Sequence, residues 1–134
     1  MSIQPYLNFE GRCEEAVEFY CRALGAEVTM LVRHADESGP AESGRAPAEK
    51  VLHASFRVGD TTIMAHDGRC TGRPNFDGFS LSITAPDGVR AGRILAALGD
   101  GGRVRMPFTK AFAARSFGVV VDRFGVSWTV SVAA

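Results

Sequence analysis

The chain has 134 residues, 46% of them hydrophobic and 22% charged, with 15 basic side chains balancing 15 acidic ones. That length supports one domain with a real core but not two independent ones, and the charge balance lacks the basic footprint of a nucleic-acid binder. Apolar runs fall short of a membrane span, and the start MSIQPYLNF lacks the basic-then-apolar layout of a secretory leader. A cytoplasmic protein with no membrane and no nucleic-acid partner is the expectation.

In chain order, residues 3–9 (IQPYLNF) read as a strand and 12–24 (RCEEAVEFYCRAL) as an amphipathic helix. Cys13, Ala16, Val17, Tyr20 and Leu24 recur at spacings of three and four, giving one apolar stripe. Glu14, Glu15 and Glu18 lie mostly off that stripe and early in the helix, where the macrodipole favours them, so they read as a solvated face. Gly25 suits the left-handed position that ends a helix. Residues 26–33, 51–58 and 61–66 read as three further strands.

The order then begins again. Residues 78–84 (GFSLSIT) read as a strand, 87–98 (DGVRAGRILAAL) as a helix, and 103–107, 116–121 and 126–132 as strands. Pro86 and Asp87 signal the helix start. The run GDGG at 99–102 follows a helix and precedes a strand, the reverse of a phosphate-cradling loop, and reads as a turn. A βαβββ unit written twice predicts an α+β fold of two like modules, about 1–67 and 77–134, each covering its antiparallel sheet with one helix. The uncovered sheet face is where function is to be sought.

Two polar stretches interrupt this regularity. Residues 34–50 (HADESGPAESGRAPAEK) have no apolar period and read either as a lid or as a disordered loop, and 67–77 (DGRCTGRPNFD) form a shorter loop. Cys13, Cys21 and Cys70 are odd in number and form no CxxC pair. They read as small apolar filler in preference to a disulfide framework, a zinc site or a reactive thiol.

PYLNFEGRCEEAVEFYCRALGAE, HASFRVGDTTIMAHD and DRFGVSWTV together resemble the PhnB-like branch of the vicinal oxygen chelate superfamily. That superfamily includes glyoxalase I, extradiol dioxygenases and the bleomycin- and fosfomycin-resistance proteins. The resemblance runs over nearly the whole chain. It implies paired βαβββ modules forming a cup-shaped sheet, assembled as a homodimer that completes the cups. Members of the branch are often labelled ubiquinone-pathway methyltransferases. No glycine-rich strand-to-helix loop for a methyl donor is present, so that label carries little weight.

The superfamily's chemistry rests on a divalent metal held by His and Glu side chains from four strands. Carried over one by one, those positions fall on Pro5, Met64, Phe79 and Thr129. None is an ordinary ligand for a hard or borderline divalent ion, so no metal and no cofactor is expected. If these four positions face inward, strand alternation adds Leu7 and Phe9, Thr62 and His66, Leu81 and Ile83, and Ser127 and Ser131. The expected ligand-binding set is Phe9, Thr62, Met64, His66, Phe79, Leu81, Thr129 and Ser131.

Apolar walls with a few hydroxyls and an imidazole describe a small-molecule pocket. They equally describe a core or a dimer seam. His66 and His53 are the candidate acid/base residues, although adjacent strand residues point to opposite faces, which argues against direct pairing of His66 with Asp67. Three function classes follow: a metal-free protein that binds a small, partly apolar molecule; a lyase- or oxygenase-type enzyme with a metal-free or non-standard site; and an interaction module whose open face is consumed by dimerisation. The first ranks highest because the ligand positions are apolar or hydroxylated, and the enzyme ranks second.

Overall fold

In the computed structural model, the structure describes residues 1–36, 47–111 and 115–133. The chain divides into two units, Met1–Pro74 and Asn75–Ala134. The first holds β1 (Tyr6–Asn8), α1 (Cys13–Leu24), β2 (Glu27–Arg33), a 3-10 turn (His34–Asp36), β3 (Val51–Val58) and β4 (Thr61–His66). The second holds β5 (Leu81–Ala85), α2 (Gly88–Gly99), β6 (Arg103–Ala111), β7 (Arg115–Val121) and β8 (Ser127–Val132). The repeated βαβββ order read from the sequence is therefore present, with strand ends shifted mainly at β1, β5 and β6.

The sheet orders are β1-β4-β3-β2 and β5-β8-β7-β6. The expected antiparallel sheets are in fact mixed, because β1 pairs with β4, and β5 with β8, in parallel. Connectivity explains this. Two consecutive antiparallel pairings bring the last strand of each unit back to the direction of its second strand. The helical crossover gives the first strand that same direction.

α1 buries Cys13, Ala16, Val17, Phe19 and Tyr20, close to the expected stripe, while Leu24 at its end stays half-buried. The Tyr20 ring stacks on Phe56 of β3 with centroids 5.6 Å apart. Glu14 and Glu15 are exposed and form ion pairs with Arg33 and Arg12. Gly25 takes φ 67°; its N–H donates to the Cys21 carbonyl, and the Ala26 N–H donates to the Tyr20 carbonyl.

At the other end of α1, Arg12 supplies no side-chain cap. The cap comes instead from Asp67, just past β4. Its Oδ1 accepts from the Gly11 and Cys13 amides at 3.0 and 2.7 Å, and its Oδ2 accepts from the Val51 amide at 2.7 Å. A buried carboxylate thus ties the helix N-terminus to the start of β3.

The second unit repeats the device with different residues. Asp122 accepts from the Phe124 and Val126 amides through Oδ1 and from the Trp128 indole through Oδ2 at 2.9 Å. α2 buries Ala91, Leu95 and Leu98. Gly118 of β7 lets it approach closely, since a Cβ there would lie 2.9 Å from a Leu95 methyl. Asp87 caps α2 by accepting from the Arg90 amide at 2.8 Å. Asp87→Ala is expected to cost about 1 kcal/mol, read as a lower urea midpoint at unchanged slope.

The excursion between β2 and β3 is closed at its base by His34 N–H to Lys50 C=O at 2.9 Å and Ala35 N–H to Ala48 C=O at 2.8 Å. Residues 37–46, where the lid was considered, lie outside the described residues. Gly102 N–H bonds Gly99 C=O at 3.0 Å, so GDGG is a turn, as read. Among the described residues no helix is long and apolar enough to cross a membrane.

Candidate functional site

Strand alternation assigns the two faces of the first sheet. Ile63 and Ala65 of β4 are buried, which leaves Thr62, Met64 and His66 on the opposite, helix-free face. The register then brings in neighbours. Tyr6 pairs with Met64, and Met64 pairs with Ser55, which pairs with Met30, giving one row across four strands. Asn8 pairs with His66, and Val32 with His53. Because Ala54 opposes Ala65, the next step of the antiparallel ladder sets His53 beside His66.

These side chains form a polar aromatic cluster. The Tyr6 ring meets His66 and His53 edge-on, with centroids 4.7 and 5.5 Å apart. The Tyr6 hydroxyl lies 3.1 Å from His53 Nδ1, and His53 Nε2 lies 3.2 Å from Ser55 Oγ. Both partners of His53 are hydroxyls, which donate or accept equally well, so its tautomer is free to switch.

His66 is different. The Gly68 amide donates to its Nδ1 at 3.0 Å, which requires a lone pair there and puts the neutral ring's proton on Nε2. The turn that aims this amide needs glycine. Gly68 has φ +56°, and a Cβ would sit 2.7 Å from the Asn8 amide group. Asn8 is in turn held by Glu10, whose Oε1 accepts from Nδ2 at 2.7 Å.

Desolvation, then the neighbouring His53, lowers the His66 pKa against the opposing pull of Asp67 and Glu10. A base whose native pKa is depressed makes the unfolded chain bind the proton more readily. Stability is thus fully present above about pH 6.5 and lost as pH falls from there through the native value. Replacing His66 by Phe is expected to reduce the fall of the urea midpoint as pH drops below about 6.5.

The expected site residues are only partly brought together. Thr62, Met64 and His66 share the open face of the first sheet, and His53 joins them. Phe9 was expected beside them but is fully buried, its ring 6.2 Å from Tyr20 under α1. The facing of β1 is the reverse of that expected: Leu7 and Phe9 go to the core, and Tyr6 and Asn8 to the open face. Tyr6, Asn8 and Ser55 were missed for this reason or because their polarity drew no attention.

In the second unit Leu81 pairs with buried Trp128, and Ser82 with Thr129. Leu81 therefore belongs to the face opposite Thr129 and Ser131, which corrects its expected facing. Ser80 Oγ lies 3.3 Å from Thr129 Oγ1, and Ser131 donates to the Ile83 carbonyl at 3.4 Å. Phe79 precedes β5, is partly exposed and meets Phe76 edge-on at 6.4 Å.

The superfamily's divalent metal does not fit the donors present. Its four positions carry a tertiary-amide proline ring, a thioether, a phenyl ring and a hydroxyl, at Pro5, Met64, Phe79 and Thr129. Among the described residues no group of three His, Cys, Asp or Glu side chains could hold an ion. The buried carboxylates Asp67 and Asp122 are already engaged by amides and the indole. Burial, then Asp67 and Glu14, pushes the Cys13 thiol strongly up, and burial also raises Cys21 and Cys70, so no thiolate is favoured.

Comparison with known proteins gives a consistent picture. A family model described as 3-demethylubiquinone-9 3-methyltransferase matches residues 1–131. Protein YjdN of Escherichia coli (strain K12) is 29% identical over 140 residues, covering 98% of this chain and 95% of the relative. Among solved structures, protein PA1353 from Pseudomonas aeruginosa is 36% identical with a TM-score of 0.84, covering 98% of this chain and 97% of that one. PhnB protein from Bacillus cereus is 26% identical with a TM-score of 0.83, covering 99% and 100%. The chain thus belongs to the 3-demethylubiquinone-9 3-methyltransferase family, with PhnB-like relatives, and has the glyoxalase/bleomycin-resistance type of fold.

Proposed function

We propose that this protein binds a small, partly apolar molecule without a metal, on the helix-free face of its first unit, and works as a homodimer. The observation that carries this reading is the cluster of Tyr6, His53, His66, Ser55 and Met64 on a sheet face that α1 leaves uncovered. It combines apolar area with a few oriented polar groups, the usual composition of a ligand site. The donor chemistry at the metal positions supports the metal-free part.

The methyl transfer in the family's description finds no support in the helix starts, where a cofactor phosphate or carboxylate would seek amides. The Gly11 and Cys13 amides are taken by Asp67, and the Arg90 amide by Asp87. These three amides are therefore not open to the carboxylate of a methyl donor.

A thermal-shift screen of small aromatic metabolites and antibiotics, followed by amide mapping of each hit, tests the binding reading. A ligand at a hundred times its Kd is expected to stabilise by about 2.7 kcal/mol. Its shifts are expected at Tyr6, His53, Ser55 and His66. Hits that map elsewhere, or a metal bound stoichiometrically after purification without chelator, would overturn the reading. Size measurement tests the dimer, and a monomer at micromolar concentration would remove it.

A second reading has its own observation. The Tyr6–His53–Ser55 chain of hydrogen bonds can pass a proton between two hydroxyls, which favours a metal-free acid/base enzyme of the lyase or oxygenase type. Turnover of a screen hit that disappears in His53→Gln with binding retained would establish it.

A further inference from the structure

The two imidazoles of the open face differ in what they can offer a ligand. His53 has both nitrogens engaged, one by the Tyr6 hydroxyl and one by Ser55. His66 has Nδ1 filled by the Gly68 amide, so its Nε2 carries a proton, and no partner for that proton is found among the described residues. The face therefore presents one fixed ring N–H donor. A donor of this kind is completed by a single acceptor atom.

The surroundings decide the acceptor's charge. The charged groups acting on His66 are Asp67 and Glu10, both acidic, and, more weakly, the neighbouring His53. Arg57, farther along β3, is paired with Glu27 at 2.6 Å. A carboxylate or phosphate at Nε2 would meet like charge, whereas a neutral carbonyl oxygen would not. The apolar surface beside the donor selects the rest of the molecule. Tyr6 is 51% exposed and turns its ring edge-on to both imidazoles, and the thioethers of Met64 and Met30 lie in the same cross-strand row. Sulfur and ring edges favour a flat π-system over a branched alkyl group.

We infer that the site takes a planar aromatic molecule bearing an uncharged carbonyl oxygen, which accepts from His66 Nε2–H while the ring lies against Tyr6 and Met64. This rests on the small-molecule reading above and narrows it to one ligand class.

The test compares 1-tetralone with tetralin, which differ by that carbonyl, and with 1,2,3,4-tetrahydro-1-naphthoate, which carries a charged acceptor on the same carbon. Each is titrated into the full chain, following backbone amides and histidine ring nitrogens by NMR. 1-Tetralone is expected to bind at least about fivefold more tightly than tetralin, the scale of one hydrogen bond, and to move the His66 Nε2–H resonance. 1,2,3,4-Tetrahydro-1-naphthoate is expected to bind more weakly than the ketone. His66→Phe is expected to abolish the ketone's advantage over the hydrocarbon.

Equal affinities for ketone and hydrocarbon in the unaltered protein, or tighter binding of the carboxylate, would overturn the assignment, whether or not the variant folds. So would an absence of shifts at this face with all three probes. The broader reading fails separately, when the larger screen gives hits that all map away from Tyr6 and His53.

Discussion

Asp67→Ala is expected to destabilise the protein by about 3–5 kcal/mol, although the residue touches no ligand. Asp67 is 1% exposed and accepts three backbone amides, from Gly11, Cys13 and Val51. Alanine would leave all three donors unpaired at the start of α1, which has no local side-chain cap, and at the start of β3. Urea denaturation followed by circular dichroism would read the loss as a lowered midpoint. Asp67→Asn should lose less, since its carbonyl oxygen can still serve the Gly11 and Cys13 amides while its amide group opposes the Val51 donor. A loss below about 1 kcal/mol in the alanine variant would show that water replaces the carboxylate and that the tie is dispensable. Exposed Glu18→Ala, by comparison, is expected to stay within about 0.5 kcal/mol. Because Asp67 directly follows His66, the same loss should also loosen the Gly68 turn, and with it the fixed tautomer of His66.

That coupling shows what the sequence could and could not reveal. The duplicated order of elements was legible because each helix has a 3.6-residue period and each strand a local alternation, both set by nearby residues. Asp67 as the cap of α1 was not legible, since donor and acceptor are 54 residues apart and meet only through the β1–β4 pairing. Alternation in IQPYLNF correctly grouped Leu7 with Phe9. It could not say whether that group faces the helix or the open side, because the pattern is the same for both. Assigning Pro5 inward carried Phe9 with it and hid Tyr6. The same one-residue ambiguity placed Leu81 with Thr129, where the ladder pairs it with Trp128. In β4 the alternation grouped Thr62, Met64 and His66, and that group lies opposite buried Ile63 and Ala65. Ser55 was passed over because a lone serine in a strand carries no signal until a histidine is seen two residues away on the same face.

The largest effect expected in the second unit is at Trp128, where alanine should cost about 3–5 kcal/mol. The indole is 2% exposed, and β8 carries it between β5 and β7. Its Nε1–H donates to Asp122 Oδ2, whose other oxygen orders the turn between β7 and β8 through the Phe124 and Val126 amides. Truncation to alanine therefore opens a cavity and withdraws a donor from a buried carboxylate. Trp128→Phe separates the two effects by keeping much of the ring volume and removing the donor. It should cost about 1–3 kcal/mol, the range for a lost bond to a charged group. A phenylalanine variant as unstable as the alanine one would mean that the carboxylate contact dominates and the volume counts for little. Thr129 and Ser131 flank buried Val130 on the same strand and point to the other face. Their hydroxyl positions are thus expected to shift in Trp128→Ala and to hold in Trp128→Phe, as read from their amide resonances.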